Sequence, residues 1–525
     1  MNNKQFEKRE NGKPKTIALY LPQFHRIPEN DEWWGEGYTD WTAVKAAEKL
    51  YAEHNQPRVP LHHNYYDLLE YDTMAWQAEL MHRYHVDGMC MYHYWFAKGR
   101  KLLEKPAENL LRWKDIPMPF CFCWANITWA RTWAKIRCSD SWIMGKEIQN
   151  NPEESGVLLG QYYGREKDWE EHFQYLLPFF RDDRYIKVDD KPVFLIYEPL
   201  FIFSLWDMMQ YFQTRAKENG LPGIYVIGME EDQLPGTDAA FIKQPKQSKK
   251  DVMPKCRLTE YPLRWSYDRI WEAILEKKVQ GKTTYLCGLV DFDDTPRRGK
   301  KGSIMDEASP EKFYGYFKKL YQKSMLLNHE FVFLNAWNEW GEGMYLEPDE
   351  AYGYGYLEAV KRVVEECREA LPEEKAAAED FLETEEERSS REKEKSIQIL
   401  RRHDRLLDDW LYLRDHEINV SQFFNRYGYR NIAIYGMGKL GRHLLHELTQ
   451  GGIRVVYGID KNNGACGKIM GIEIYASGQK MPEVDAVVMT VIDQYAEISK
   501  MLGEKMKCPK ITIEEIFQEL ILEQQ

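Results

Sequence analysis

Two glutamates three residues apart are the strongest chemical signal in the chain. They belong to Asn338-Glu339-Trp340-Gly341-Glu342-Gly343, which Trp337 precedes. On a helical turn or a tight loop, an i, i+3 spacing brings both side chains to one side, with Cβ atoms about 5–6 Å apart. Like charges held that close in a partly buried pocket push one pKa upward, so one residue type supplies both an acid and a base. Making or breaking a glycosidic bond needs such a pair. A solvated acidic loop is the competing reading, and the aromatic frame weighs against it.

Further polar and aromatic residues recur just after short apolar runs. Pro22-Gln23-Phe24-His25 follows the first run, Tyr92-His93-Tyr94-Trp95 ends the second and Trp124-Ala125-Asn126 ends the third. Tyr197-Glu198 ends the fourth, and Asp291-Phe292-Asp293-Asp294 follows the seventh, with Arg297 and Arg298 close behind. Gln23, His25, Tyr92, His93, Tyr94, Asn126 and Asn338 are candidate partners for sugar hydroxyls. Trp41, Trp95, Trp124, Trp337 and Trp340 are candidates for stacking on sugar rings. Of the tryptophans at 33, 34, 41, 95, 124, 129 and 133, most are expected in the core and two or three in the site. Arg297 and Arg298 suit a phosphorylated donor or an acidic sugar, and an ion pair with Asp293 or Asp294 is the equal alternative. Asp291 and Asp293 suggest a metal only faintly, and His82 with His85 lacks the acidic partner of a zinc helix; no metal is expected.

The elements that must position these residues are readable from apolar pattern. Eight runs begin near Ile17, Gly88, Phe120, Pro192, Ile224, Asp238, Tyr285 and Phe331. Continuous apolar runs, rather than alternation, suit parallel strands buried on both faces. Helical patterns such as Trp169 to Phe180 and Pro310 to Ser324 suit right-handed crossovers. The expectation is an α/β chain whose residues 15–362 form a (β/α)8 barrel, with function in the loops after the strands.

Composition narrows the function classes. The net charge of −13 argues against a nucleic-acid partner. Aromatics make up 14% of the chain, with 17 Trp and 33 Tyr, as expected where flat sugar faces are recognised in water. No run of 18 apolar residues occurs, so no transmembrane helix is expected. The charged opening does not read as a secretory signal, and nine cysteines without a CxxC pair suit a reducing compartment; a cytoplasmic location is expected.

Between Glu366 and Lys395 twelve acidic and six basic side chains accumulate. Residues 363–425 are expected to be a charged helical linker. Its apolar positions Ile397, Leu400, Leu407 and Leu411 follow helical spacing, and a solvated face is favoured over an oligomerising coiled coil because the run is short. Beyond it, residues 430–525 alternate strands and helices again. Gly436, Gly438 and Gly441 form a GxGxxG between a strand and a helix, and Asp460 ends the next strand. A small Rossmann-like module is expected, with a nucleotide as its candidate ligand.

The six-residue run resembles the Asn-Glu-Trp-x-Glu-Gly motif of glycoside hydrolase family 99. The wider chain is more similar to the WbsX family, bacterial proteins called glycosyltransferases that are related to that hydrolase family. The stretches that carry the resemblance include Leu19 to His25, Ile27 to Asp31, Trp33-Trp34-Gly35, Thr39-Asp40-Trp41 and Tyr92 to Phe96. Cys123 to Asn126, Asp190 to Phe194 and Thr295 to Arg298 complete the set. The resemblance implies a (β/α)8 barrel and retaining chemistry. In it Glu339 is a base toward the sugar 2-hydroxyl, which attacks the anomeric carbon, and Glu342 protonates the departing oxygen. Two departures touch the sugar-binding rim: Ile127 stands where relatives often carry glutamate, and Asp293-Asp294 replaces Trp-Asp-Asn. The expected function is a carbohydrate-active enzyme of surface-polysaccharide assembly, acting on a sugar that is nucleotide- or lipid-linked, with no cofactor in the barrel. An intracellular endo-acting glycosidase and a non-catalytic glycan-binding scaffold are the alternatives.

Overall fold

The computed structural model describes residues 13–130, 157–255, 262–281, 283–369, 378–461, 467–503 and 505–522. Eight strand runs form the first unit: β1 (Lys15–Tyr20), β2 (Gly88–Trp95), β3 (Phe120–Trp124), β4 (Lys191–Ile196), β5 (Tyr225–Gly228), β6 (Ala239–Phe241), β7 (Thr284–Tyr285 and Cys287–Leu289) and β8 (Phe331–Asn335). Each pairs in parallel with its neighbours in chain order, and β1 also pairs with β8. The result is a nearly closed parallel barrel of nine strand segments, consistent with (β/α)8 architecture. Every residue of β3 and β8 is buried, which is why these strands read as unbroken apolar runs.

Helices α1 (Asp40–Lys45), α2 (Tyr71–Arg83), α3 (Lys105–Arg112), α4 (Glu166–Phe180), α5 (Leu205–Glu218), α6 (Tyr267–Glu276), α7 (Thr295–Arg298), α8 (Pro310–Leu326) and α9 (Gly355–Glu369) punctuate the barrel. Helix α8 shows the local logic. Ser309 caps it by accepting from the Lys312 N–H, Pro310 fits the first turn, and Phe313, Phe317, Leu320 and Ser324 bury one stripe. One crossover departs from expectation: residues 229–238 join β5 to β6 without a helix.

After the barrel come α10 (Glu385–Asp415) and α11 (Ser421–Tyr427). Thr384 and Glu387 form a capping box at the start of α10. A six-stranded sheet follows, built from β9 (Asn431–Tyr435), β10 (Arg454–Asp460), β11 (Lys468–Ile469), β12 (Ile472–Ala476), β13 (Ala486–Met489) and β14 (Lys510–Thr512). Its order is β11-β12-β10-β9-β13-β14, parallel except at the β11 edge. Helices α12 (Lys439–Gln450), α13 (Tyr495–Gly503) and α14 (Ile513–Leu522) accompany it.

The expected linker is redrawn at both ends. Helix α9 runs through the boundary set at 362. At the other end, Leu406, Trp410, Leu413, Phe423 and Phe424 are core residues of the C-terminal sheet, so that half of the segment packs with the module rather than spanning to it. The module in turn touches the barrel: Arg165 meets Glu515 at 3.5 Å, and Asp207 of α5 accepts from Tyr495 at 2.5 Å and Ser499 at 2.6 Å.

Candidate active site

The chain turns sharply after β8. Residues 338–339 pair antiparallel with 344–345, and Trp340–Glu342 form a 3-10 turn between them. Gly343 closes the turn at φ +65°, a left-handed conformation that favours glycine. A Cβ there would also lie 2.9 Å from the Asp293 nitrogen, and a Cβ on Gly341 would lie 2.5 Å from the Arg297 Nε. Both glycines of the run therefore let neighbouring groups approach closely.

Those neighbours define the site. Arg297, in α7, donates to Glu342 Oε1 at 2.8 Å, to Glu339 Oε2 at 3.1 Å and to Asp40 Oδ1 at 3.1 Å. One guanidinium thus gathers three carboxylates from two segments of the fold, the turn after β8 and the start of α1. Asp40 also accepts from the Gly341 N–H at 3.1 Å. The Asp293 N–H donates to the Glu342 carbonyl at 2.7 Å, which ties the loop after β7 to this turn through backbone alone.

Electrostatics separate the two glutamates. Glu339 is 6% exposed, whereas the Glu342 side chain is 33% exposed. Burial drives the Glu339 carboxyl upward, Arg297 pulls it back, and the nearby charges of Glu342 and Asp40 push it up again, to about 8. Burial thus makes Glu339 hold a proton more readily than an ordinary carboxylate. Tyr92, Tyr94 and Tyr197 surround it: all three phenols are raised by burial, with the Glu339 charge adding to the effect. Tyr38 is raised to about 12 by burial and by Asp40.

A second buried carboxylate anchors the turn from below. Glu347 accepts from Trp340 Nε1 at 2.7 Å, Trp337 Nε1 at 2.9 Å, Tyr66 Oη at 2.8 Å and Gln77 Nε2 at 2.8 Å. Burial raises it to about 7 against those four donors. Asn338 adds a second anchor, accepting from the Leu21 N–H at 2.8 Å and donating to the Leu21 carbonyl at 3.0 Å. Glu339 is thus held between residues fixed on both sides.

Several sequence candidates do other work. His93, Trp95 and Trp124 point away from the barrel axis toward α4. His93 meets His172 at 2.9 Å, Trp95 stacks on His172 at 4.7 Å, and Trp124 packs edge-on to it at 4.8 Å. Burial lowers His93 to about 3, so it is neutral. Alternation along β2 explains the split, since Tyr92 and Tyr94 face the opposite way. Trp337 and Trp340 are buried with their indole N–H groups on Glu347, and Tyr345 covers a face of Trp340 at 3.7 Å. Neither ring is open to a sugar. Asn126 commits its amide to the Glu198 backbone, donating at 2.8 Å and accepting at 2.8 Å. Arg297 serves the carboxylates rather than an incoming phosphate, and Arg298 pairs with Asp294 at 3.2 Å.

His25 is buried and its imidazole is lowered by burial, while Gln23 is half-buried. Trp41 is packed by Phe24 and Trp340 and donates to the Tyr66 carbonyl at 2.9 Å, yet it also lines a groove of about 570 Å³ with Tyr65, Thr39, Arg26 and Asp67. Trp133 lies outside the described residues. Asp291 pairs with Arg58 at 2.9 Å, and Asp293 accepts from Gln56 at 2.8 Å and meets His54 at 2.8 Å. Among the described residues, no group of three or more His, Cys, Asp or Glu is placed to hold a metal ion.

Sequence reasoning passes over Asp40, Arg58, Glu347 and Lys243 as site residues. Lys243 and Lys246 both reach Glu198 Oε1, at 2.9 and 3.0 Å, and Lys243 lies 3.5 Å above the Tyr197 ring. Glu347 is the most legible of the four, the first of three acids that closely follow the apolar stretch Met344-Tyr345-Leu346.

Comparison with known proteins follows the same residues. A family model described as Glycosyltransferase WbsX matches residues 16–360. Two Xanthomonas campestris pv. campestris proteins named WxcX, described as uncharacterized, are similar over about 360 residues. The strain B100 protein is 31% identical over 360 residues, and the strain ATCC 33913 protein is 32% identical over 362. Each match covers 66% of this chain and 49% of the relative, so the chain matches about half the length of these relatives. Among solved structures, a GH99 endo-alpha-mannosidase from Bacteroides thetaiotaomicron aligns with TM-score 0.40 and 15% identity, over 67% of this chain and 97% of that one.

Proposed function

The chain belongs to the WbsX glycosyltransferase family, and from that premise we propose that it makes or remodels a glycosidic bond in surface-polysaccharide assembly, with Glu339 and Glu342 as the acid–base pair. The observation that carries this reading is the Arg297 fork, which draws both glutamates to one point at the C-terminal end of β8. Enzymes on this fold work at that end of the strands.

The chemistry needs one group to give a proton to the departing oxygen and one to take a proton from the attacking hydroxyl. With the sugar's own 2-hydroxyl as internal nucleophile, the two groups need not flank opposite faces of the ring, and retention follows from two displacements. The resemblance assigns the base to Glu339 and the acid to Glu342. Burial of Glu339 favours the reverse order at rest, because it raises that carboxyl's hold on a proton. In the family order Glu339 must first release its proton to solvent, and a closer approach of the Arg297 guanidinium would favour that release. The pH–rate profiles of Glu339→Gln and Glu342→Gln distinguish the orders: the variant that loses the alkaline limb has lost the proton donor, and the one that loses the acidic limb has lost the base.

The substrate is a carbohydrate, read as nucleotide- or lipid-linked and met in the cytoplasm. No helix among the described residues is long and apolar enough to cross a membrane. Incubating the purified chain with candidate oligosaccharides, without a nucleotide sugar, tests the direction. Release of reducing ends would favour an endo-acting hydrolase using the same pair. Full restoration of surface glycan in a deletion strain by either glutamine variant would favour a non-catalytic scaffold.

The Rossmann-like reading of residues 430–525 is part of the proposal. Its support is the order β9, glycine loop, α12, with Asp460 at the end of β10. A nucleotide at that loop would have to replace the bond that the Met437 N–H makes to Asp460 at 3.1 Å.

A further inference from the structure

Helix α10 carries two apolar seams, and its own chain covers only one. Leu406, Trp410 and Leu413 are buried in the core of the C-terminal sheet. One residue further round, about 100° away on the helix, Ile397, Leu400, Leu407 and Leu411 are between 49% and 67% exposed. They supply four of the ten large hydrophobic residues that stand exposed among the described residues, all within one stretch of about 21 Å. Their spacing is that of a heptad, with Ile397, Asp404 and Leu411 at a and Leu400 and Leu407 at d.

The helix presents this seam in a fixed orientation. Arg391 pairs with Glu383 at 2.6 Å near one end, and Arg402 pairs with Glu514 at 2.7 Å in the middle. Trp410 donates to Glu447 at 2.6 Å on the buried side. The exposed seam cannot rotate inward without breaking these contacts. The four side chains are solvated in the single chain, as the sequence suggests, and charge surrounds the seam without interrupting it except at Asp404.

We infer that a second copy of this chain packs antiparallel along the Ile397–Leu411 seam of α10, forming a two-fold dimer. The charge order selects both the occupant and the direction. A parallel pair would set Asp404 against Asp404 of the second copy across the seam. An antiparallel pair matches a with d, placing Leu400 opposite Leu411 and Asp404 opposite Leu407. It also brings Arg401 of each copy beside Asp408 of the other at the flanking e positions, twice by symmetry. Neither Arg401 nor Asp408 makes an ion pair within its own chain among the described residues. Two heptads make a small interface, at the lower end of what specific complexes bury, so the dimer is reversible over micromolar concentrations.

Sedimentation equilibrium of the full chain, from about 1 to 100 µM, tests this. The mass should climb from one chain of 62.4 kDa toward two. Leu400→Asp with Leu407→Asp should hold it at one chain, with an unchanged melting temperature at about 1 µM, where the parent is also a monomer. Arg401→Asp and Asp408→Arg should each weaken the dimer about tenfold. Mixing those two variants should restore it, since the mixed pair regains both opposite-charge contacts. A chain that stays monomeric throughout overturns the inference, as does a dimer indifferent to the leucine changes. A seam-dependent dimer that mixing fails to rescue overturns the antiparallel arrangement.

Discussion

The turn after β8 and the turn after β9 look alike in sequence, each a strand running into glycines and polar residues, but they differ in how their groups are satisfied. After β9 several groups are answered within the fold, while the first turn of α12 has no side-chain cap. Gly436 adopts φ +90°, a Cβ on Gly441 would lie 2.2 Å from the Gly436 carbonyl oxygen, Thr490 donates to that carbonyl at 2.6 Å, and Asp460 accepts from Met437. Close packing accounts for Gly436 and Gly441 but not for Gly438, where a Cβ would meet nothing within 4 Å. After β8 the opposite holds. Three carboxylates share one guanidinium, and burial pushes the Glu339 carboxyl up to about 8. Burying such groups costs stability and gives the fold nothing that apolar side chains would not give better. Residues held at such a cost point to chemistry.

The largest expected effect sharpens that contrast. Glu339→Gln and Glu342→Gln should each lower activity about 10²–10⁴-fold, read as transferase turnover or as restored glycan in a deletion strain. Glu339→Gln should at the same time leave the melting temperature unchanged or raise it. A glutamine variant that melts much lower while keeping its activity would make the turn a structural device.

Arg297→Ala comes next. It leaves Asp40 and Glu339 without their shared cation, and breaking a buried ion network by removing one partner costs about 3 kcal/mol or more. Denaturant unfolding measures this. Arg297→Lys keeps the charge but cannot fork to three carboxylates, so it should recover stability in part and activity hardly at all. Full recovery of activity by lysine would mean that charge, not geometry, is what the site requires.

The pH dependence of stability follows from the direction of the Glu339 shift. Its folded value of about 8 lies above the ordinary 4.5, so between those values the folded chain holds a proton that the unfolded chain has lost. The stabilisation is complete below about 4.5 and is lost as pH rises through about 8. Glu347, raised to about 7, acts in the same sense. Glu339→Gln should therefore lose less stability than the parent between about pH 5 and 8, measured by denaturant midpoints. An identical slope would place the Glu339 proton elsewhere.

The barrel was legible because its strands are apolar on both faces, and all eight runs named from sequence fall on or immediately before an observed strand. That same property hid which side chains face the site. When nearly every residue of a strand is buried, polarity gives no parity, so Tyr92 and Tyr94 could not be told from His93 and Trp95. Asp40 and Arg297 are 257 residues apart, and no local pattern announces that they meet. Trp337 and Trp340 were visible as a pair but not as indoles turned down onto Glu347. On α10 the helical period was readable, yet the division into a covered and an uncovered seam depends on where the C-terminal sheet lies.

The smaller effects belong to the β9 turn. Gly441→Ala should destabilise the chain by about 1–3 kcal/mol, because its Cβ meets the Gly436 carbonyl at 2.2 Å and backbone cannot yield as a side chain can. Asp460→Asn should cost least, since the amide oxygen can still accept from the Met437 N–H. The informative measurement is melting temperature with and without a nicotinamide or uridine nucleotide. If the fold alone explains the turn, the parent and Asp460→Asn respond equally, with little or no shift. A nucleotide that stabilises the parent and not Asp460→Asn would break the contrast, because Asp460 would then exchange its bond to Met437 for a ribose hydroxyl, and both turns would be binding sites.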